Sequence, residues 1–226
     1  IRQTLYDINN EKFFTKFIIR LNSYYSYKNS VSKIIYNSKK SSLQHINYGF
    51  NSNKTILIYN AFNTKLYKPD IERKNYLHEK YNLHQKFIIG NISRFHPMKG
   101  HDILIKAAIK ILKNNKNFHF FLYGKNINYE NKKLFNLFKK FEFKHNIHLL
   151  GEIDDVHKII PFFDLSIIPS KWGEGFSNFL GESMSTGVPC IATNIGDSAF
   201  VVDDAGIIIE PNNIDSLVDA ILKFYQ

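Results

Sequence analysis

The sequence predicts an α/β fold, in which a doubly wound parallel sheet forms the C-terminal part and a partial Rossmann-like domain precedes it. Short apolar runs such as Phe87 to Ile92, Phe118 to Tyr123 and Leu165 to Ile168 alternate with longer stretches of helical periodicity. That alternation gives βαβ crossovers and a parallel sheet with helices on both faces. Gly-bearing loops after several of these runs put polar groups where such sheets bind ligands, at the carboxyl ends of the strands.

Residues 9 to 28 read as a helix with Phe13, Phe14, Phe17, Ile18, Leu21, Tyr24 and Tyr25 on one face and Lys12, Lys16 and Arg20 on another. This face is expected to pack into a core, and its basic rim keeps a membrane-surface role open. Residues 34 to 36 and 55 to 59 read as short strands, separated by a polar helix over 38 to 48. Further strands are expected at 87–92, 118–123, 147–150, 165–168, 189–193 and 207–209. Helices are expected near 100–113, 129–141, 155–162, 178–186, 197–202 and 214–224.

The most informative segment is Pro169-Ser-Lys-Trp-Gly-Glu-Gly-Phe-Ser-Asn-Phe-Leu-Gly-Glu182, which sets Glu174 and Glu182 eight residues apart around a helix start. Ser177 or Asn178 can cap that helix, leaving Glu174 in the loop and Glu182 about one turn into the helix. Gly173 and Gly175 let the backbone approach a ligand, and the helix N-terminus favours an anion such as a phosphate. A carboxylate one turn further in can accept two hydrogen bonds from vicinal ribose hydroxyls. Diphosphate and ribose together describe a nucleotide.

These residues resemble the donor site of retaining glycosyltransferases of family 4, which have the two-domain GT-B fold. The resemblance extends through Gly187-Val-Pro189, Thr193-Asn-Ile-Gly-Asp197 and Gly206-Ile-Ile-Ile-Glu-Pro211. Upstream, Gly90-Asn-Ile-Ser-Arg94 with Lys99-Gly100 is similar to the family's phosphate-binding Arg and Lys, and Ile58 to Pro69 resembles its interdomain hinge. The chain departs from the family at Lys125, where an acidic residue often stands. The resemblance implies residues 1–68 as a partial acceptor-side domain with the hinge, and 69–226 as the nucleotide-sugar-binding domain. It implies Glu174 as the catalytic carboxylate that holds the transferred sugar and Glu182 as the ribose ligand. Arg94, Lys99, Gly175, Phe176, Ser177 and Asn178 would complete the donor site. A full GT-B enzyme needs two domains of roughly 150–200 residues each, so the chain is expected to be a fragment, inactive in transfer by itself.

Each residue also has a plainer reading. Glu182 and Glu174 could be ordinary solvated carboxylates, and Arg94 and Lys99 surface cations; on spacing alone the plainer reading wins for the two cations, and the motif context reverses it. Trp172 reads equally as a stacking or a half-buried loop aromatic. His78, His84, His101 and His145 read as solvated or capping residues.

Charge is unevenly placed. Residues 1–86 carry 15 Lys and Arg against 5 Asp and Glu, whereas residues 87–226 carry 15 of each. The acceptor-side portion therefore holds the whole excess of +10. The one cysteine, Cys190, lies in an apolar run, which excludes an intrachain disulfide and fits a small core residue better than a catalytic thiol. No apolar run approaches the length of a membrane span. No Asp-x-Asp metal motif occurs, so no cofactor and no metal are expected: cations and the helix N-terminus would neutralise the leaving diphosphate. The expected partners are a nucleotide-sugar donor, a lipid-linked glycan acceptor and an anionic membrane surface, with a cytoplasmic, peripheral location at the inner face. Two alternatives stand beside this: another GT-B enzyme, such as a sugar-nucleotide epimerase or a phosphorylase, and a non-catalytic nucleotide- or polyanion-binding module. A nucleic-acid role is disfavoured because the basic half lacks a recognised motif.

Overall fold

The computed structural model describes Ile1, Thr4, Leu5 and residues 13–226. These residues form two compact units. One comprises 1–61 with 172–177 and 195–197, and the other comprises 62–171, 178–194 and 198–226.

In the first unit, α1 (Phe13–Tyr25) is followed by β1 (Ile34–Tyr36), α2 (Lys39–Tyr48) and β2 (Thr55–Leu57). β1 and β2 pair in parallel, with Ile35 opposite Ile56. Ser38 caps α2 by accepting from the Ser41 N–H at 3.1 Å, and Gly49 closes it in the left-handed conformation. Tyr36, His45 and Phe50 form the buried aromatic centre of this unit. Among the described residues the first helix does not pack into a core as expected. No residue of α1 is buried, and Phe13 and Phe14 are 84% and 70% exposed. The predicted start of that helix at residues 9 to 12, including Lys12, lies outside the described residues.

The second unit holds a six-stranded, all-parallel sheet. Its strands are β3 (Phe87–Ile92), β4 (Phe118–Tyr123), β5 (Ile147–Leu149), β6 (Leu165–Ile168), β7 (Cys190–Thr193) and β8 (Gly206–Ile209). Their spatial order is β5-β4-β3-β6-β7-β8. Side chains alternate between two cores. Phe118, Phe120 and Leu122 join a cluster with α4 (His101–Asn114) and α9 (Ile214–Tyr225) on one face. Phe121 and Tyr123 join Leu77 of α3 (Ile71–Lys80) and Phe179 and Leu180 of α7 (Asn178–Ser185) on the other. Burial on both faces explains why the strands read as unbroken apolar runs. Cys190 is fully buried in the second cluster, and burial pushes its thiol up to about 12, as befits an inert core residue.

Helices depart from expectation in three places. The stretch 129–141 is helical only as α5 (Lys132–Phe135), followed by turns; 155–162 is α6 (Val156–Ile159) running into a 3₁₀ turn at Ile160–Phe162. α3 was not expected at all. It is capped by Asp70, whose carboxylate accepts from the Arg73 N–H at 2.8 Å. α8 (Ser198–Val202) completes the set.

Sequential strands run outward from β3 to β4 and β5, and the chain then returns to place β6 on the other side of β3. The strand order thus reverses between β3 and β6. Crevices at such switch points, outside the carboxyl ends of the strands, are where open α/β sheets bind ligands.

Candidate functional site at the carboxyl ends of the strands

After β3 the chain stays extended, with the Ser93 and Phe95 N–H groups donating to the carbonyls of Tyr123 and Lys125 at 2.9 and 2.8 Å. Arg94 lies between them and is exposed. His96 then caps a 3₁₀ turn, Pro97–Lys99, its Nδ1 accepting from the Met98 N–H at 3.2 Å. Lys99, half-buried, ends that turn. Gly100 follows at φ 67°, and a Cβ there would run into the carbonyl of Pro169, the residue after β6. Only glycine lets α4 start so close to the end of β6.

The loop after β6 is tied to the same turn. The Lys171 N–H donates to the Met98 carbonyl at 2.7 Å, and Lys171 Nζ pairs with Asp102, in the first turn of α4, at 2.7 Å. Thr193 Oγ1, at the end of β7, donates to the Ser170 carbonyl at 2.6 Å. Arg94 and Lys99 thus share a loop pinned to residues 169–171. His101, expected to be solvated or capping, is 2% exposed instead, with Nε2 3.2 Å from Ser93 Oγ. Burial, aided by Lys99, pushes it down to about 4, so the ring is neutral at pH 7. His84 and His145 are exposed, as expected.

Glu182 lies within α7 and is half-buried, not freely solvated. Tyr67 OH donates to its Oε1 at 3.3 Å. Burial raises the Glu182 pKa and the Tyr67 hydrogen bond opposes that rise. Asn178 is the first helical residue of α7 and is exposed, so Ser177 occupies the position before the helix.

The loop carrying Glu174 belongs to the first unit. Glu174 and Ser177 are each 8% exposed, Gly175 is buried, and Phe176 lies 5.9 Å from the Tyr59 ring. Trp172 is half-buried. The structure therefore groups Arg94, Lys99, Asn178 and Glu182 in one unit and Glu174, Gly175, Phe176 and Ser177 in the other. Three participants escaped the sequence reading: Tyr67, the Lys171–Asp102 pair, and Asp197. Tyr67, Lys171 and Asp197 lie inside the motifs named above, but nothing local marks their partners.

Comparison with known proteins decides the family. The sequence profile of the glycosyl transferases group 1 matches residues 73–226. The chain belongs to this family. As a group 1 glycosyl transferase it is 29% identical over 175 residues to the Escherichia coli UDP-Gal:alpha-D-GlcNAc-diphosphoundecaprenol alpha-1,3-galactosyltransferase, covering 75% of this chain and 45% of that protein. It is 31% identical over 140 residues to the poly(ribitol-phosphate) alpha-N-acetylglucosaminyltransferase of Staphylococcus aureus, covering 60% of this chain and 28% of that one. A crystal structure of Anabaena HepE in complex with UDP and glucose superposes with a TM-score of 0.85 at 24% identity, over 99% of this chain and 61% of that chain. This likeness establishes the GT-B type fold, with its parallel, Rossmann-like sheet. The group 1 chain thus spans less than half the length of the two curated relatives.

A first test addresses Glu182. If Glu182 is the ribose ligand that the resemblance implies, replacing it with Ala should weaken nucleoside diphosphate binding by roughly 1.5–3 kcal/mol, the worth of charge-assisted hydrogen bonds to the ribose. Burial disfavours the charged carboxylate, so the melting temperature at pH 7 should hold or rise. By the same sign, wild-type affinity should begin to fall with decreasing pH above the usual carboxylate range. Calorimetry with a ribonucleotide and its 2′-deoxy analogue checks the assignment: equal losses for both would contradict a ribose contact.

Proposed function

We propose that this chain carries the nucleotide-sugar half of a retaining glycosyltransferase, one that moves a sugar from a nucleoside diphosphate to a glycan acceptor, lipid-linked, in surface polysaccharide synthesis. The observation that carries the reading is the cation-bearing loop of Arg94 and Lys99 at the β3–β6 switch point, in the same unit as the half-buried Glu182. The relatives' names support it: the E. coli enzyme takes galactose from UDP to a diphosphoundecaprenol-linked sugar, and the Anabaena protein was crystallised with UDP and glucose.

In this reading the anomeric C–O bond of the donor breaks and its electron pair passes to the diphosphate oxygen. The acceptor hydroxyl forms the new bond to the anomeric carbon on the face the diphosphate leaves, which retains the configuration, and gives its proton to the departing diphosphate oxygen. Arg94 and Lys99 neutralise the charge that develops on the departing diphosphate, aided by the positive end of α7. Glu182 holds the ribose hydroxyls, and Glu174 holds the transferred sugar. The Gly175 and Phe176 backbone approaches sugar or phosphate. No step draws on a metal or cofactor. Calorimetry with UDP, GDP and ADP, with and without chelator, is the direct check. Binding of at least one diphosphate, unchanged by chelator, is the expected result; no binding to any, or binding that requires a divalent ion, would overturn the reading.

The same proposal places the protein on the inner face of the cytoplasmic membrane as a peripheral protein. Among the described residues no helix is long and apolar enough to cross a membrane. The support is the concentration of positive charge in residues 1–86 beside the exposed Phe and Tyr side chains of α1. Each Lys or Arg near an anionic surface contributes about 1 kcal/mol, screened beyond roughly 8–10 Å at physiological salt. In co-sedimentation the chain should bind phosphatidylglycerol vesicles, release at high salt and ignore phosphatidylcholine vesicles, and charge reversal at Lys12, Lys16 and Arg20 should weaken binding without changing nucleotide affinity. Equal binding to neutral vesicles, or none to either, would contradict this placement.

A further inference from the structure

Asp197 is 6% exposed, and a buried carboxylate requires partners. It has three. Ser38 Oγ donates to Oδ1 at 3.0 Å, the Lys39 N–H to Oδ2 at 2.6 Å, and the Lys40 N–H to Oδ1 at 3.0 Å. Those amides open α2, a helix that Ser38 already caps from its own chain neighbourhood. The second, carboxylate cap comes from 158 residues away in sequence.

The same turn grips the Glu174 loop. The Asp197 N–H donates to the Gly175 carbonyl at 2.9 Å. Gly196, at φ 58°, lies so close that a Cβ would run into the carbonyls of both Glu174 and Gly175. One side of the turn therefore holds the Glu174–Gly175 backbone, and the carboxylate fixes the other to the positive end of α2. We infer that Asp197 is a positioning residue that sets the Glu174 carboxylate for the transferred sugar by anchoring the Ile195–Asp197 turn to α2. This inference rests on the proposed role of Glu174.

The aspartate-to-asparagine change separates positioning from packing. Asp197→Asn keeps the shape but replaces one acceptor oxygen with an NH₂ group facing backbone donors, whereas Asp197→Glu keeps the charge. Trp172, the only tryptophan of the chain, lies in the held loop and reports its state. In Asp197→Asn, acrylamide quenching of Trp172 should rise about twofold and amide exchange at Lys39 and Lys40 should quicken, as local opening predicts. Affinity for UDP-galactose and UDP-N-acetylglucosamine should fall about fivefold or more relative to UDP, since small misplacements of a binding group are costly. Asp197→Glu should recover part of each change.

Glu174→Gln serves as the control. If it leaves the ratio of nucleotide-sugar to nucleotide affinity intact, the role given to Glu174 fails, and quenching and exchange alone decide whether Asp197 positions the loop. If Glu174→Gln lowers the ratio while Asp197→Asn changes neither ratio nor quenching, the inference is overturned. A lower melting temperature with unchanged ratio and quenching would likewise show a plain helix cap. Should Asp197→Asn fail to fold, Ser38→Ala removes one donor and keeps both amide bonds: smaller shifts in the same direction support the inference, and their absence overturns it.

Discussion

Helix α4 can begin against the carboxyl end of β6 only because residue 100 has no side chain. That close approach decides where the Arg94–Lys99 loop can go. The chain leaves β3, turns through Pro97–Lys99 and enters α4 while touching the backbone of Pro169. Any Cβ at residue 100 would have to push α4 off the sheet, and α4 supplies Ile103, Leu104, Ala107, Ile111 and Leu112 to the larger core. Burial of the Ile and Leu side chains contributes about 1.5–3 kcal/mol each, so displacing α4 at Gly100 would disturb the core and the cation loop together.

Weaker ties reinforce it. The Lys171–Asp102 pair is partly exposed, with 17% and 34% of the side chains accessible, so its own worth is at most about 1 kcal/mol. Its value is geometric. Together with the Lys171 N–H bond to Met98, it fixes the start of the loop that leads to Glu174 against the loop that carries Lys99. Within the first unit, the Asp197 N–H bonds the Gly175 carbonyl, and Gly196 lets the turn lie against the Glu174 and Gly175 carbonyls. The loop of residues 172–177, which lacks regular secondary structure, is thus held in part by a backbone hydrogen bond to Gly175, the close approach of Gly196 and the Phe176–Tyr59 ring contact.

The sheet was legible in the sequence because its strands are buried on both faces and read as unbroken apolar runs, with boundaries right to within a residue or two. α3 was missed for the opposite reason: it buries only Leu77, so no apolar periodicity marks it, although Asp70 stands as a cap signal at its start. The Lys-rich stretch after Asn131 carries helical composition, yet only four residues are helical before turns take over. His101 looked like a surface residue because its burial depends on the glycine contact made by the residue before it. Tyr67 and Glu182 lie 115 residues apart, and no local pattern links them. α1 shows the reverse error: its apolar face is legible, but the described residues offer it no core to join.

In the proposed function the loops joined at Gly100 and Pro169 hold the nucleotide. Amide hydrogen exchange of the chain with saturating UDP, or with GDP or ADP where that base binds, tests it most directly. Exchange should slow at residues 93–103 and 178–182. Exchange should not change at the opposite ends of the strands, at residues 115–117, 144–147 and 187–189. Protection at those opposite ends, or bound nucleotide that protects neither the Arg94–Lys99 loop nor the first turns of α7, would contradict it.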